Sequence, residues 1–259
     1  MLALVNSMSY GTGASTLVYA LAKARGALLS KPVLIISTSD DKPYRHMMKV
    51  DKEWESPNLK MVLSKLQTYT DIKTFCYKAE SYLYYLNIVG ADIKSVDGRK
   101  GLNQLLLDLN DNVVQEGFES VWVDIDNASG GFLHFVENAD IILVPLRPDI
   151  LRVQAAQERI HALRQEYVRD FGMQLKHPVY YCVQMYASQM PLPQIKKILQ
   201  TQDRYVYPFA YDIEVARKFN SGDLSFYMSE MIAEPKTTEQ KTMYNHLCMM
   251  LKNLKRQRR

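Results

Sequence analysis

The chain is poor in the features that usually announce a chemistry. It has only three cysteines, Cys76, Cys182 and Cys248. Their number is odd and their spacing is not that of metal ligands, which fits a reducing cytoplasm better than a disulfide framework. No apolar run approaches the length of a membrane span. No basic segment precedes the short apolar stretch at the N-terminus, so a secretory signal is not expected. The five histidines, His46, His134, His161, His177 and His246, form no HxxE, HExxH or paired pattern, and read as surface or packing residues. There is no GxSxG elbow and no Cys/His pairing, which removes the usual signatures of covalent catalysis. Internal repeats and low-complexity linkers are missing too, so residues 1–259 are expected to form one domain.

What is present is ordinary for a globular chain. With 47% hydrophobic and 23% charged residues it can bury a substantial core. The net charge is +4, and residues 251–259 hold five Lys/Arg and no acid. Such an end is a solvated, frayed terminus or a contact for phosphate, DNA or anionic lipid. The preceding segment from Met243 to Lys255 is amphipathic, with Tyr244, Leu247, Leu251 and Leu254 on one face. It suits packing on the domain or a partner, or peripheral contact with a membrane.

Apolar runs alternate with segments of helical period, the pattern of an α/β fold with a mainly parallel twisted sheet and helices on both faces. About seven strands are expected, at Leu2–Asn6, Val33–Ser37, Tyr84–Val89, Ser120–Asp124, Ile141–Pro145, Val179–Gln184 and Tyr205–Pro208. Helices are expected at Ser15–Arg25, Asn58–Leu66, Gly101–Glu116, Leu151–Phe171, Pro193–Gln200, Ile213–Ser221 and Thr238–Lys255. Leu102, Leu105, Leu106 and Leu109 give one of these an apolar face. Between Lys42 and Tyr82 the pattern is least regular, and helices and loops covering one edge are expected there.

Two segments carry chemistry. Ser9-Tyr10-Gly11-Thr12-Gly13-Ala14-Ser15-Thr16 follows the first strand and opens a helix. A phosphate loop needs that context, because backbone N–H groups and a helix N-terminus must converge on the anion. The Ser15 and Thr16 hydroxyls suit a Mg²⁺ ion or a helix cap. A working loop also has a lysine just before the Ser/Thr, and Ala14 stands there. The second segment, Val121-Trp122-Val123-Asp124, places a carboxylate at a strand's carboxyl end, where open parallel sheets bind ligands. Beside a phosphate loop such an Asp holds a metal-bound water, and alone it caps a turn.

In order along the chain, these pieces resemble the ParA/MinD family of deviant-Walker P-loop ATPases. Its Lys-Gly-Gly-x-Gly-Lys-Thr-Thr motif falls on Ser9 to Thr16. Phe118 to Asp124 resembles its second strand motif. Asn138-Ala139-Asp140-Ile141-Ile142-Leu143-Val144-Pro145 with Pro148-Asp149 is similar to its "ADxxixVxxP" strand. Tyr207-Pro208-Phe209-Ala210-Tyr211-Asp212 through Gly222 is similar to its late "IPyDxxvxxAxxxG" segment. The resemblance implies ATP and Mg²⁺ as cofactors, with Gly11, Thr12, Gly13, Ala14, Ser15 and Thr16 at the nucleotide and Ser15 and Asp124 at the metal.

The departures from that pattern fall on the phosphates. Ser9 stands for the lysine that crosses the family's dimer interface, Ala14 for the P-loop lysine, and Ser37 and Ser39 for the acids that position water. Asp40 and Asp41 come one residue late. Each lost charge-assisted contact costs about 1.5–3 kcal/mol, so two missing lysines weaken ATP binding roughly tens- to thousands-fold. Lys23, Arg25, Lys42 or a partner's cation are the available substitutes. The expectation is a pseudo-ATPase, closest to the TadZ-like pilus and secretion localisers, acting in the cytoplasm as a homodimeric scaffold with protein partners. An active positioning ATPase or a DNA-partition protein is the alternative.

Overall fold

The first strand, β1 (Leu2–Val5), is buried along its whole length, which explains why it reads as a continuous apolar run. The structure, a computed structural model, describes residues 1–6, 8, 12–38, 42–66, 71–88, 95–112, 117–125, 135–186, 190–202, 205–210 and 212–256. After β1 come α1 (Ala14–Leu29), β2 (Val33–Ser37), α2 (Lys42–Met48), α3 (Leu59–Leu66), a short 3-10 turn at Ile72–Phe75, β3 (Tyr77–Lys78) and β4 (Leu83–Asn87). Then follow α4 (Val96–Asn112), β5 (Ser120–Asp124), β6 (Ile141–Leu146), α5 (Ile150–Phe171), β7 (Val179–Tyr186), α6 (Leu192–Leu199) and β8 (Val206–Ala210). The C-terminal part is helical: α7 (Ile213–Ser221), α8 (Leu224–Ala233) and α9 (Thr238–Arg256).

The strands form one sheet of eight, in the order β3-β4-β2-β5-β1-β6-β7-β8. Every pairing is parallel except β3 with β4. Alternate residues of β1 feed opposite faces: Leu2 and Leu4 join one apolar cluster, Ala3 and Val5 the other. The first cluster takes side chains of α3, α4, α5 and α6, including Leu102, Leu105, Leu106 and Leu109. The second takes those of α1, α2, α8 and α9 around the fully buried Trp122.

The α/β fold class with helices on both faces is as expected, and three local expectations are corrected. Among the described residues the sheet has eight strands where about seven were expected, the added one being β3, whose two residues are too few to register as an alternating run. Helix α1 continues past Arg25 to Leu29, since Gly26 packs at the Tyr82 backbone without interrupting it. Helix α8 escaped the periodicity, while α2 lies in the Lys42–Tyr82 stretch where helices and loops were expected. α2 is seven residues long, and in α8 polar and apolar residues are poorly segregated around the axis. Pro208 lies within β8, which the sheet places at its edge, where a missing N–H is tolerated.

Candidate functional site

At the carboxyl edge of the sheet, Asp124 lies in register between Val5 of β1 and Ser37 of β2. From β1 the chain passes to β2 on one side of the sheet, while β6, β7 and β8 lie on the other. Ligand crevices of open α/β sheets form where the order reverses in this way.

Thr12, Gly13, Ala14, Ser15 and Thr16 lie at that point, leading into α1. Gly11 falls outside the described residues, as do Ser9, Ser39, Asp40 and Asp41. Gly13 is the N-cap of α1 with φ 77°, a left-handed conformation that favours glycine. No side chain caps this end and no acid occupies its first turn, so the positive end of the helix is open to an anion. Thr12 Oγ1 is buried and has no hydrogen-bond partner. Gln184 of β7 donates its Nε2 to the Thr12 carbonyl, and a Cβ on Gly13 would sit 3.2 Å from Gln184 Oε1.

Ser15 does not cap the helix. Its Oγ donates to Asp124 Oδ2 at 2.7 Å, and the same oxygen accepts the Tyr44 hydroxyl at 2.8 Å. Asp124 is 5% exposed and Tyr44 wholly buried. Burial, with the adjacent carboxylate, pushes the Tyr44 phenol well above its ordinary value, which keeps it a proton donor. A buried carboxylate is tolerated when hydrogen bonds replace its water, and two hydroxyls do so here. Asp124 is therefore more than a turn cap, although its backbone carbonyl does accept Thr38 N at 3.0 Å. Tyr44 carried no signal in the sequence. Only the folding of α2 over the ends of β2 and β5 brings it to the carboxylate.

Two of the cations named as substitutes, Lys23 and Arg25, are engaged elsewhere. Lys23 lies nine residues into α1, roughly 13 Å along the axis from Ala14. Its Nζ is buried against Glu80 and the Ser225 carbonyl, at 2.9 Å from the latter. Burial lowers its pKa in spite of Glu80. Arg25 pairs with Glu119 at 2.9 Å. The side chain of Lys42 is outside the described residues.

Beside Thr16 opens a cavity of about 210 Å³, walled by Phe209, Val215 and Phe219 with Gln184 and Asp212 among its polar lining. Asp212 caps α7 by accepting Glu214 N at 2.9 Å, and Gly222 ends that helix at φ 75°. The segment from Tyr207 to Gly222 thus forms the strand end, loop, helix and terminating glycine expected of it, with Tyr211 outside the described residues. The apolar face of α9, including Leu247, Leu251 and Leu254, is buried in the second core cluster. Three of the four residues considered for membrane contact are therefore occupied by the domain itself, and Tyr244 is half-buried. Among the described residues no helix is long and apolar enough to cross a membrane.

Among the described residues the N-terminus of α1 has no side-chain cap, as a phosphate site requires, but the donor set does not fit a divalent cation as arranged. A strand-end Asp that holds a metal-bound water needs an open acceptor facing that water, whereas Asp124 Oδ2 already accepts two hydroxyls. Among the described residues no group of three or more His, Cys, Asp or Glu could hold a metal.

No family model and no curated relative matches the sequence. Solved structures do match the fold over nearly the whole chain. The MinC:MinD cell division protein complex of Aquifex aeolicus aligns at 14% identity over 97% of this chain and 96% of that one, with a TM-score of 0.68. A ParA family ATPase from Chlorobium tepidum TLS aligns at 15% identity over 95% and 97%, TM-score 0.67. The septum site-determining protein MinD complexed with Mg-ADP from Pyrococcus horikoshii OT3 aligns at 12% over 95% and 93%, TM-score 0.64. These neighbours are MinD/ParA P-loop ATPases, and at such identities the likeness establishes the fold.

Proposed function

We propose that this chain is a ParA/MinD-like protein whose ATPase chemistry has lapsed, and that it works as a localisation or assembly scaffold for a cell-surface apparatus of the secretion or pilus kind. In this reading residues 1–259 form one cytoplasmic domain that dimerises and binds protein partners. One observation supports the proposal: among the described residues, no lysine stands at the start of α1 and the two cations nearest it along the helix are paired with acids. Ala14 stands where the loop's lysine belongs, while Lys23 and Arg25 are held by Glu80 and Glu119. Without a cation the loop cannot neutralise the charge that develops during phosphoryl transfer, which is the main contribution such sites make to the rate.

The architecture that remains suits recognition. The uncapped N-terminus of α1 and the cavity between Thr16 and Phe219 support the reading that a nucleotide bound there would serve as a structural ligand. Ile150 and Leu151 begin α5 and Ile213 begins α7, all following the carboxyl ends of strands, and all three are exposed, Leu151 to 74%. Exposed apolar side chains at the starts of helices that follow strand ends support contact with another protein surface.

The test is phosphate release from Mg-ATP together with the mass of the particle in solution, with and without nucleotide. No turnover above background and a dimer that does not depend on ATP are expected. Turnover that disappears in Asp124→Ala would overturn the proposal.

A further inference from the structure

The geometry points to Tyr44 as a built-in stand-in for a divalent cation, whose hydroxyl keeps the loop of α1 joined to Asp124 without a metal. This rests on the reading that the ATPase chemistry has lapsed, and it identifies what took the metal's place.

A metal in such a site does two things. It offsets the charge of the strand-end carboxylate, and it links the helix-start hydroxyl to that carboxylate through a metal-bound water. Here both tasks are met by hydrogen bonds. Ser15 Oγ lies 2.7 Å and Tyr44 OH 2.8 Å from one oxygen of Asp124. The two donors come from different elements, α1 and α2, so a single oxygen clamps both helices to the end of β5.

Tyr44 is also fixed in place. Its ring stacks on Tyr85 of β4, with centroids 5.2 Å apart and planes 29° from parallel. Its neighbours tie α2 to the domain on two sides. Arg45 donates to the Trp54 carbonyl at 2.6 Å, His46 meets the Phe219 carbonyl, and Lys49 pairs with Asp223 at 3.4 Å. A cation approaching Asp124 must displace a phenol that is wholly buried and hydrogen-bonded to that carboxylate. The site is therefore biased against the metal by its own side chain, and Phe219 links the same helix to the wall of the adjacent cavity.

The experiment compares the full-length protein with Tyr44→Phe, which keeps the ring and removes the hydroxyl. Thermal melting is followed while Mg²⁺ is titrated without nucleotide. Binding of a fluorescent ATP analogue is measured in Mg²⁺ and in EDTA. The wild type is expected to melt at the same temperature, and to bind the analogue equally well or not at all, with and without Mg²⁺. Tyr44→Phe is expected to bind Mg²⁺ about tenfold or more tightly than the wild type, on the scale of groups that tune a metal ligand. Its melting temperature then rises with Mg²⁺, and the rise is lost when Asp124→Asn is added. A wild type already stabilised by Mg²⁺ overturns the inference. So does a Tyr44→Phe protein that is only less stable, without a Mg²⁺ response, because that is a purely structural role. Should Tyr44→Phe fail to fold, electron paramagnetic resonance of Mn²⁺ added to the wild type decides: a bound ion removed by Asp124→Asn overturns the inference, and no such ion upholds it. Phosphate release in the same wild-type samples reports separately on the lapsed-ATPase reading.

Discussion

His246 Nδ1 accepts the backbone N–H of Ala210 at 3.1 Å, tying the middle of α9 to the last residue of β8. Only a neutral ring nitrogen can accept, and burial holds the His246 pKa below its ordinary value. Between its folded and unfolded pKa the unfolded chain binds more protons, so stability rises with pH across that window. The protein is expected to lose stability as pH falls through about 6.5, the unfolded value. The loss levels off below the folded value. His177, also lowered by burial, adds to the same slope. Urea denaturation at a series of pH values checks this, and His246→Gln should flatten the curve without abolishing it.

Removing the Ser15 hydroxyl separates the link between α1 and β5 from nucleotide chemistry. Ser15→Ala deletes one hydrogen bond to a buried carboxylate while leaving Tyr44 in place. A loss of about 1.5–3 kcal/mol is expected by denaturant titration, the range for hydrogen bonds to charged groups. A neutral result would mean that water replaces the hydroxyl at no cost.

Lys23 offers a contrast between structural and phosphate roles. Lys23→Met leaves Glu80 without its buried partner and should cost about 1–3 kcal/mol of stability. Binding of an ATP analogue should be unchanged, because Lys23 is turned toward Ser225 and Glu80. A fall in nucleotide affinity without a fall in stability would return Lys23 to the list of phosphate ligands.

Ala14→Lys restores the charge the loop lacks. If the open end of α1 is a phosphate cradle, affinity for the ATP analogue should rise roughly 10- to 100-fold, one charge-assisted contact's worth. Isothermal titration of both proteins measures it. No gain at all would show that the backbone around Gly13 no longer addresses a phosphate.

The main architecture was legible because it depends on local patterns. Runs such as Val33–Ser37 and Ser120–Asp124 coincide with β2 and β5 residue for residue, since strands buried on both faces read as unbroken apolar segments. Ile213–Ser221 was equally clear, framed by Asp212 and Gly222. Ser15 and Asp124 were identifiable as a pair from the order of loop, helix and strand. What joins them was not legible. Tyr44 reaches Asp124 across 80 positions of sequence, and in the sequence it is one of seventeen tyrosines. The engagement of Lys23 by Glu80 and Ser225 was hidden for the same reason, because partners 57 and 202 residues away leave no periodic trace.

The two borders of the sheet carry a consequence for how copies of this protein can assemble. At one border β3 offers only two residues to a newcomer, and at the other β8 interrupts its ladder with Pro208. Short or proline-broken margins refuse an added strand. On the described residues, a larger structure built from this chain is expected to grow through side-chain surfaces, on its helices or at its carboxyl rim. Its geometry will follow from the shape of those surfaces, with no continuous ribbon of hydrogen bonds running from one copy to the next.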